Sequence, residues 1–318
     1  AGIKKTLVPG WANLATKGGK TYGLPVSANV KSLVWYNPAN FKAAGLTVPK
    51  TDAEMTKLTN TIKSKKLGYP WCIGIESGGA TGWAATDWME EYVLRYGGEA
   101  QYTAWWKGKL AWSSPTVQKA AKKFAEVALT PGNVNGGGKA IAATGFGATA
   151  NLFATDKNKC FMMRQGSFIT DFFPDAIKAA YKANDFTNVG VFKLPAPAGT
   201  TDAVLGGGDL AAAFDDKAAT QKVLNFILSD KLGQGAMLAN YPSYLSAHKT
   251  FPSAGYKNPI TKNIAGILAS AKLFGFDGSD LAPAVVNATE WKELTNWISG
   301  KKTQKQAFDA IDASWSKA

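Results

Sequence analysis

The stretch Glu76-Ser-Gly-Gly-Ala-Thr-Gly-Trp-Ala-Ala-Thr-Asp-Trp88 places two carboxylates, Glu76 and Asp87, on either side of the indole of Trp83. It follows a strand-like run and leads into a helix-like one, where α/β folds seat ligands. A pyranose has an apolar face of C–H groups and a rim of hydroxyls. An aromatic ring packs on the face, and ionised carboxylates accept charge-assisted hydrogen bonds from the rim. Rings are plentiful: 11 Trp, 10 Tyr and 16 Phe. Trp83, between Gly82 and two alanines, is expected to stand exposed in a cleft. Trp88, deeper in the helix, and the Trp105-Trp106 pair are expected to pack inside.

A second group is Gly275-Phe-Asp-Gly-Ser-Asp-Leu-Ala-Pro283, with Asp277 and Asp280 in a Gly/Ser loop and Trp291 opening a later helix. Asx turns account for such aspartates, and no EF-hand spacing appears. Glu76 with Asp87, or Asp277 with Asp280, would qualify by residue type as a glycosidase pair, a question that their separation in space decides. Nucleophilic catalysis through a triad would have to use His248, the one histidine. That residue lies in a loop-like stretch without a nucleophile signature and is expected to be a surface or loop residue. Gly206-Gly207-Gly208 match neither phosphate-loop nor dinucleotide patterns. Consecutive glycines suit a backbone that bends at a hinge.

The cysteines are Cys72 and Cys160. Two thiols and one histidine do not make a structural zinc site, and no metal or cofactor is expected. Each cysteine sits at a short strand-like run. Neighbouring strands would bring them within disulfide reach, the alternative being two separate buried thiols. The net charge of +13 comes from 36 Lys+Arg against 23 Asp+Glu. Only Arg95 and Arg164 are arginines. Lysines scattered along helix-like faces read as solvated surface rather than as nucleic-acid contacts, which favour the planar arginine fork. No run of 18 apolar residues offers a membrane span, and no charged-then-apolar leader precedes residue 10.

The elements that must position these groups alternate between short apolar strands and amphipathic helices, which indicates an α/β architecture. Leu33–Tyr36, Cys72–Ile75, Cys160–Met163 and Gly190–Leu194 read as strands. Thr51 and Glu54 form a capping box, and Ser114-Pro115 opens a helix with Val117, Ala121, Phe124 and Ala128 inward. Thr86 is expected to cap a helix over Asp87–Tyr96 that stops at Gly97-Gly98. Further helices are expected over Ala218–Leu228, with Val223, Leu224, Ile227 and Leu228 inward, and over Asn263–Lys272, Thr289–Ser299 and Gln304–Ser314.

Six segments, taken in order, resemble the extracellular solute-binding proteins of ABC sugar importers, the maltose-binding-protein-like family, and within it the α-glucoside-importer subgroup. They are Gly19–Asn37, Phe41–Thr51, Trp71–Trp88, Met163–Phe168, Leu205–Leu210 and Phe276–Leu281. The resemblance covers essentially the whole chain. It implies a two-lobed periplasmic-binding-protein fold with three hinge crossings, near Ser27–Lys31, Leu205–Asp209 and Ser246–Gly255. Residues 1–29 plus 207–254 would form a first lobe, and 30–206 plus 255–318 the second. The family normally begins with several strand–helix units before Gly19, so the first lobe is expected to be incomplete at its N-terminus.

By resemblance, Trp83, Phe168 and Trp291 match positions that stack on sugar rings in the gap between lobes. Asp87, Asp209 and Asp280 match hydroxyl partners, Glu76 lies beside them, and Gln165 is a weaker match. Asn29 or Lys31 falls where a hinge-region polar contact is made, and Gly206, Gly207 and Gly208 fall at the hinge. The implied protein is not an enzyme and needs no cofactor. It is an extracytoplasmic monomer, periplasmic or a cell-surface lipoprotein, whose partners are a sugar and the transmembrane subunits of an ABC permease. In an exported protein the disulfide is the expected state of Cys72 and Cys160. The alternatives are a carbohydrate-active enzyme using the same carboxylates and a binder of a non-sugar solute.

Overall fold

A computed structural model describes residues 2–7, 11, 14–153, 160–229, 237, 241 and 243–318. Strands and helices are interspersed along the chain, as in an α/β protein. They group into two compact units. Unit 1 comprises 1–30, 166–168 and 206–270; unit 2 comprises 31–165, 169–205 and 271–318. The chain therefore changes unit at residues 30/31, 165/166, 168/169, 205/206 and 270/271. Ser246–Gly255 lies within unit 1, and so do residues 255–270.

Unit 2 is built on a four-stranded mixed sheet in the order Tyr69–Trp71, Cys160–Arg164, Leu33–Tyr36, Gly190–Lys193. The first pair is parallel and the other two pairs are antiparallel. The strand expected at Cys72–Ile75 lies three residues earlier, and Cys72 follows it. Tyr69 pairs with Cys160 in register, and a disulfide joins Cys72 to Cys160 with 5.5 Å between their Cα atoms. Asn37 caps the helix Pro38–Ala43, and the predicted Thr51/Glu54 capping box opens Asp52–Ser64 with both reciprocal bonds formed. Pro115–Ala128 buries Val117, Ala121, Phe124 and Ala128, the expected stripe. Its Phe124 meets Trp88 and Trp297, and Trp297 in turn meets Phe308. Such ring pairs add about 0.5–1.5 kcal/mol each beyond the area they bury.

The helix after Thr81 departs from the sequence reading. It begins at Trp83, not Asp87, with Gly82 as its N-cap at φ 116°, and Thr86 lies inside it with its hydroxyl on the Trp83 carbonyl. Glycine carries that positive φ without a Cβ penalty, so the helix starts one turn early. Nor does the helix end at Gly98. Gly98 (φ 65°) kinks it, and helical structure resumes to Trp106. The helix predicted over 289–299 starts earlier too, spanning Ala284–Ile298 behind Pro283, and that predicted over 263–272 spans Pro259–Ala269, capped by Asn258. Gln304–Ser314 lies where it was read.

In unit 1, Asn29–Val30 pairs antiparallel with Gly207–Gly206. The helix Ala218–Ile227 is present, but Val223 is exposed rather than inward, as is Phe226. Coverage is confined to a narrower stripe, with Leu224 and Ile227 half-buried and Leu228 buried at i, i+3, i+4 spacing. His248 stands in a loop, yet it is buried, and its Nδ1 lies 2.6 Å from the Thr6 hydroxyl. It is not a surface residue, and Leu7 bridges to it along the backbone.

Candidate functional site

One face of the helix Trp83–Trp106 carries Asp87, Glu90, Glu91 and Arg95 at i, i+3, i+4 and i+8, and all four are buried. Charged groups at this depth persist only when paired. Lys31, the first residue of unit 2, donates from Nζ to Asp87 Oδ1 at 2.7 Å and to Asp277 Oδ2. Glu91 accepts from the Ser32 hydroxyl at 2.8 and 2.9 Å, from Arg164 at 2.8 Å and pairs with Arg95 at 2.7 Å. The Ser32 hydroxyl in turn accepts from the Leu205 N–H. Glu90 accepts from the backbone N–H groups of Gly278 and Ser279 at 3.1 Å each. This helix face therefore ties down residues 31, 32, 164, 205 and 277–279, four of them within two residues of a unit boundary.

Competing charges set the titration of this cluster. Burial opposes the Lys31 ammonium, but Asp277 and Asp87 outweigh it and hold the group above its ordinary value. Burial pushes the Asp87 carboxyl up to about 6 in spite of Lys31. Burial, reinforced by Asp277 and Asp87, raises Glu90 as well. Asp277 falls below the ordinary carboxylate value because Lys31 overcomes its burial. Asp87, Glu90 and Asp277 offer oxygens close enough to share a metal ion. The ammonium of Lys31, bonded to two of them, is the cation of this cluster.

Above the cluster stands Trp83, half-buried, with Lys31 Nζ 5.4 Å from its ring centroid. A cation at that distance is attracted by the ring face, which ties the indole to the charge cluster. Trp291 lies in the middle of the helix Ala284–Ile298. Its backbone packs on Gly82 so closely that a Cβ there would lie 2.6 Å from Trp291 Cα. Phe146 meets Trp83 edge-on at 4.9 Å. The Phe146 N–H donates to the Glu76 carbonyl, and Glu76 Oε1 accepts from the Gly78 N–H at 2.7 Å. Asp280 is exposed on the turn after Asp277, with its N–H on Asp277 Oδ1.

Unit 2 thus brings together Trp83, Trp291 and Glu76 around Gly82 and Gly145, and Asp87 and Asp277 beneath Lys31. Unit 1 carries Asn29, Phe168 and Asp209. Asn29 Oδ1 accepts from the Ser167 hydroxyl at 3.2 Å, and Phe168 folds over Gly166. Asp209 is exposed and accepts from the Ser27 hydroxyl at 2.6 Å. Gly206 and Gly207 lie in a paired strand, and a Cβ at Gly208 would run into the Ser27 carbonyl and the Trp11 ring. Gln165 is buried, with its carbonyl accepting from Trp35 Nε1.

Sequence reasoning passed over Glu90, Glu91, Ser32 and Arg164, which complete the buried cluster. The available signal was the i, i+3, i+4, i+8 spacing of charges on a helix otherwise rich in apolar residues. It also passed over Phe146, which stands in a Gly/Ala/Thr-rich stretch that reads as loop.

The model of the bacterial extracellular solute-binding proteins matches residues 2–234. The chain is 36% identical over 311 residues to the alpha-glucosides-binding periplasmic protein AglE of Rhizobium meliloti, and 34% identical over 307 residues to the osmoprotective compounds-binding protein GgtB of Synechocystis sp.. These alignments take in 96% of the chain in each case, and 66% and 70% of the two relatives' lengths. A solved chitin oligosaccharide binding protein has the same fold, with a TM-score of 0.76 at 23% identity over 96% of this chain and 73% of that one. With that fold, the matched family model and two relatives above 30% identity, the chain belongs to the bacterial extracellular solute-binding proteins.

Proposed function

We propose that this chain is the ligand-capturing part of an ABC carbohydrate importer. It takes up an α-glucoside or a related oligosaccharide outside the cytoplasm and presents it to the membrane subunits of the permease. The observation that carries the reading is the half-buried Trp83 indole, which follows Gly82, where the Trp291 backbone packs, with the Glu76 carboxylate against Gly145 beside Phe146. An indole supplies a flat apolar surface for the C–H face of a pyranose, and a carboxylate supplies acceptors for its hydroxyls. The similarity to a protein named for α-glucoside binding supports the same ligand class. Phe168, Asn29 and Asp209 are proposed as unit 1's contribution, and Asp280 as a further hydroxyl partner on unit 2. Asp87 acts from beneath, through Lys31.

Binding without catalysis fits the carboxylates. A glycosidase needs one carboxyl to give up a proton and another to attack or to activate water. Asp87 and Asp277 both hold the Lys31 ammonium and are buried, so neither is poised for those roles. Unit 1 and unit 2 are proposed as the two lobes, working as a monomer, with Gly206–Gly208 at one hinge.

Intrinsic fluorescence titrated with maltose, trehalose, sucrose and an osmoprotective polyol tests this reading on the full-length protein. Saturable quenching by at least one α-glucoside is expected. A flat response and no thermal shift with every sugar, or a response to the polyol alone, would overturn it.

A further inference from the structure

Beyond Trp83 the aromatic surface continues. Phe146 meets Trp83 at 4.9 Å between ring centroids, and Phe172 meets Phe146 at 4.8 Å, both edge to face. All three rings belong to unit 2. Exposure rises along the row: Trp83 and Phe146 are half-buried, and Phe172 is 46% exposed. An exposed phenylalanine on its own needs no explanation. One joined to a candidate ligand surface through a second ring, and held in place, is a different case.

The holding is visible in Gly145-Phe146-Gly147. A Cβ at Gly147 would lie 2.5 Å from Phe172 Cδ1, so the ring rests on bare backbone. A Cβ at Gly145 would lie 3.5 Å from Glu76 Oε2, so the carboxylate lies against the neighbouring glycine. The two glycines thus flank Phe146 with a seated ring on one side and an anionic acceptor on the other. Apolar planes bordered by a carboxylate repeat the chemistry of the Trp83 surface one step further out. Seated aromatic side chains also lose little rotamer freedom when a ligand packs on them.

We infer that Phe146 and Phe172 form a second sugar subsite continuous with Trp83, so that the chain prefers an oligosaccharide of two or more rings to a single pyranose. This rests on the reading that Trp83 stacks on a sugar. Phe172 supplies the outer plane, Phe146 the edge between the two rings, and Glu76 an acceptor for hydroxyls at the junction.

Calorimetric titration of the full-length protein with methyl α-glucoside and with maltotriose tests it, comparing wild type with Phe172→Ala, Phe172→Trp and Gly147→Ala. The ratio of trisaccharide to monosaccharide affinity is expected to fall about fivefold in Phe172→Ala, the scale of one lost ring contact. It should fall in Gly147→Ala as well, where the ring is displaced, and hold in Phe172→Trp. Sugar binding with an unchanged ratio in Phe172→Ala would overturn the subsite and leave the proposed function standing. No binding of either probe by the wild type would overturn both.

Discussion

Lys31 Nζ donates to Asp87 Oδ1 across 2.7 Å, with both side chains buried, and the same ammonium reaches Asp277 from the other end of the sequence. Lys31 directly follows a unit boundary, so this triad anchors one crossing segment to the helix that begins at Trp83. The ammonium also lies under the Trp83 ring. The proposed ligand surface and the boundary segment therefore share one buried cation.

Replacing Lys31 with methionine leaves Asp87 and Asp277 facing each other in a dry site. Breaking a buried pair from one side costs about 3–5 kcal/mol. Urea unfolding at pH 7 should show a loss of that size, shrinking toward pH 5 as the stranded carboxyls take up protons. The double variant Lys31→Met/Asp87→Asn should regain part of it. A Lys31→Met protein as stable as wild type at pH 7 would remove the triad from any structural role.

Glu290 gives a pH dependence of defined sign. It is buried, and its Oε2 has no hydrogen-bond partner among the described residues. Burial, with the Asp277 charge adding to it, pushes the carboxyl from 4.5 up to about 8. The folded state therefore keeps this proton over a range in which the unfolded chain has released it. Stability falls as pH rises from about 4.5 to about 8 and levels off above. Glu290→Gln cannot titrate. It should match wild type near pH 4.5 and exceed it at pH 8 by on the order of 4 kcal/mol. Parallel stability curves for the two proteins across that range would show that Glu290 is ionised in the fold.

Local chemistry was legible and tertiary chemistry was not. The Thr51/Glu54 box, the Pro115 start and the Gln304–Ser314 helix rest on contacts within four residues, and sequence spacing reveals such contacts directly. The early start at Trp83 depends on Gly82 adopting a left-handed conformation against Trp291, two hundred residues away in the chain. Lys31 finds Asp87 at a separation of 56 residues and Asp277 at 246, and no periodicity encodes those pairings. The aromatic residues of the candidate site were partly legible for a simple reason. Trp83 opens its helix, where a large ring stands out, whereas Trp291, read as a helix opening, lies in the middle of Ala284–Ile298, and Phe146 hides in a glycine-rich stretch whose role is to make room.

Gly82 tests how that meeting point is built. Alanine there meets two penalties: a φ of 116° and a Cβ 2.6 Å from Trp291 Cα. Gly300, at φ 80° with open space around it, meets only the first. Gly300→Ala should cost about 1 kcal/mol. Gly82→Ala should cost about 3 kcal/mol or more, because backbone must move to relieve the overlap. Sugar affinity should fall with Gly82→Ala and hold with Gly300→Ala. Equal losses of stability in the two variants would mean that the close approach to Trp291 is not a constraint.

The tryptophans divide by burial into reporters and bystanders. Trp11, Trp35, Trp71, Trp88, Trp105, Trp112 and Trp297 are buried, while Trp83, Trp106, Trp291 and Trp315 are half-buried. Of these four, Trp106 lies under Lys107 and against Gly278, and Trp315 packs on Gly108. A ligand stacking on an indole changes the emission of that indole, so the sugar-dependent signal should come from Trp83 and Trp291. Trp83→Phe should remove most of the quenching and keep a ring, weakening affinity only a few-fold. Trp83→Ala should weaken it about tenfold or more, since the stacking plane and its tie to Lys31 are both lost. Trp106→Phe should change neither. Full quenching retained in Trp83→Phe/Trp291→Phe would place the ligand against other rings.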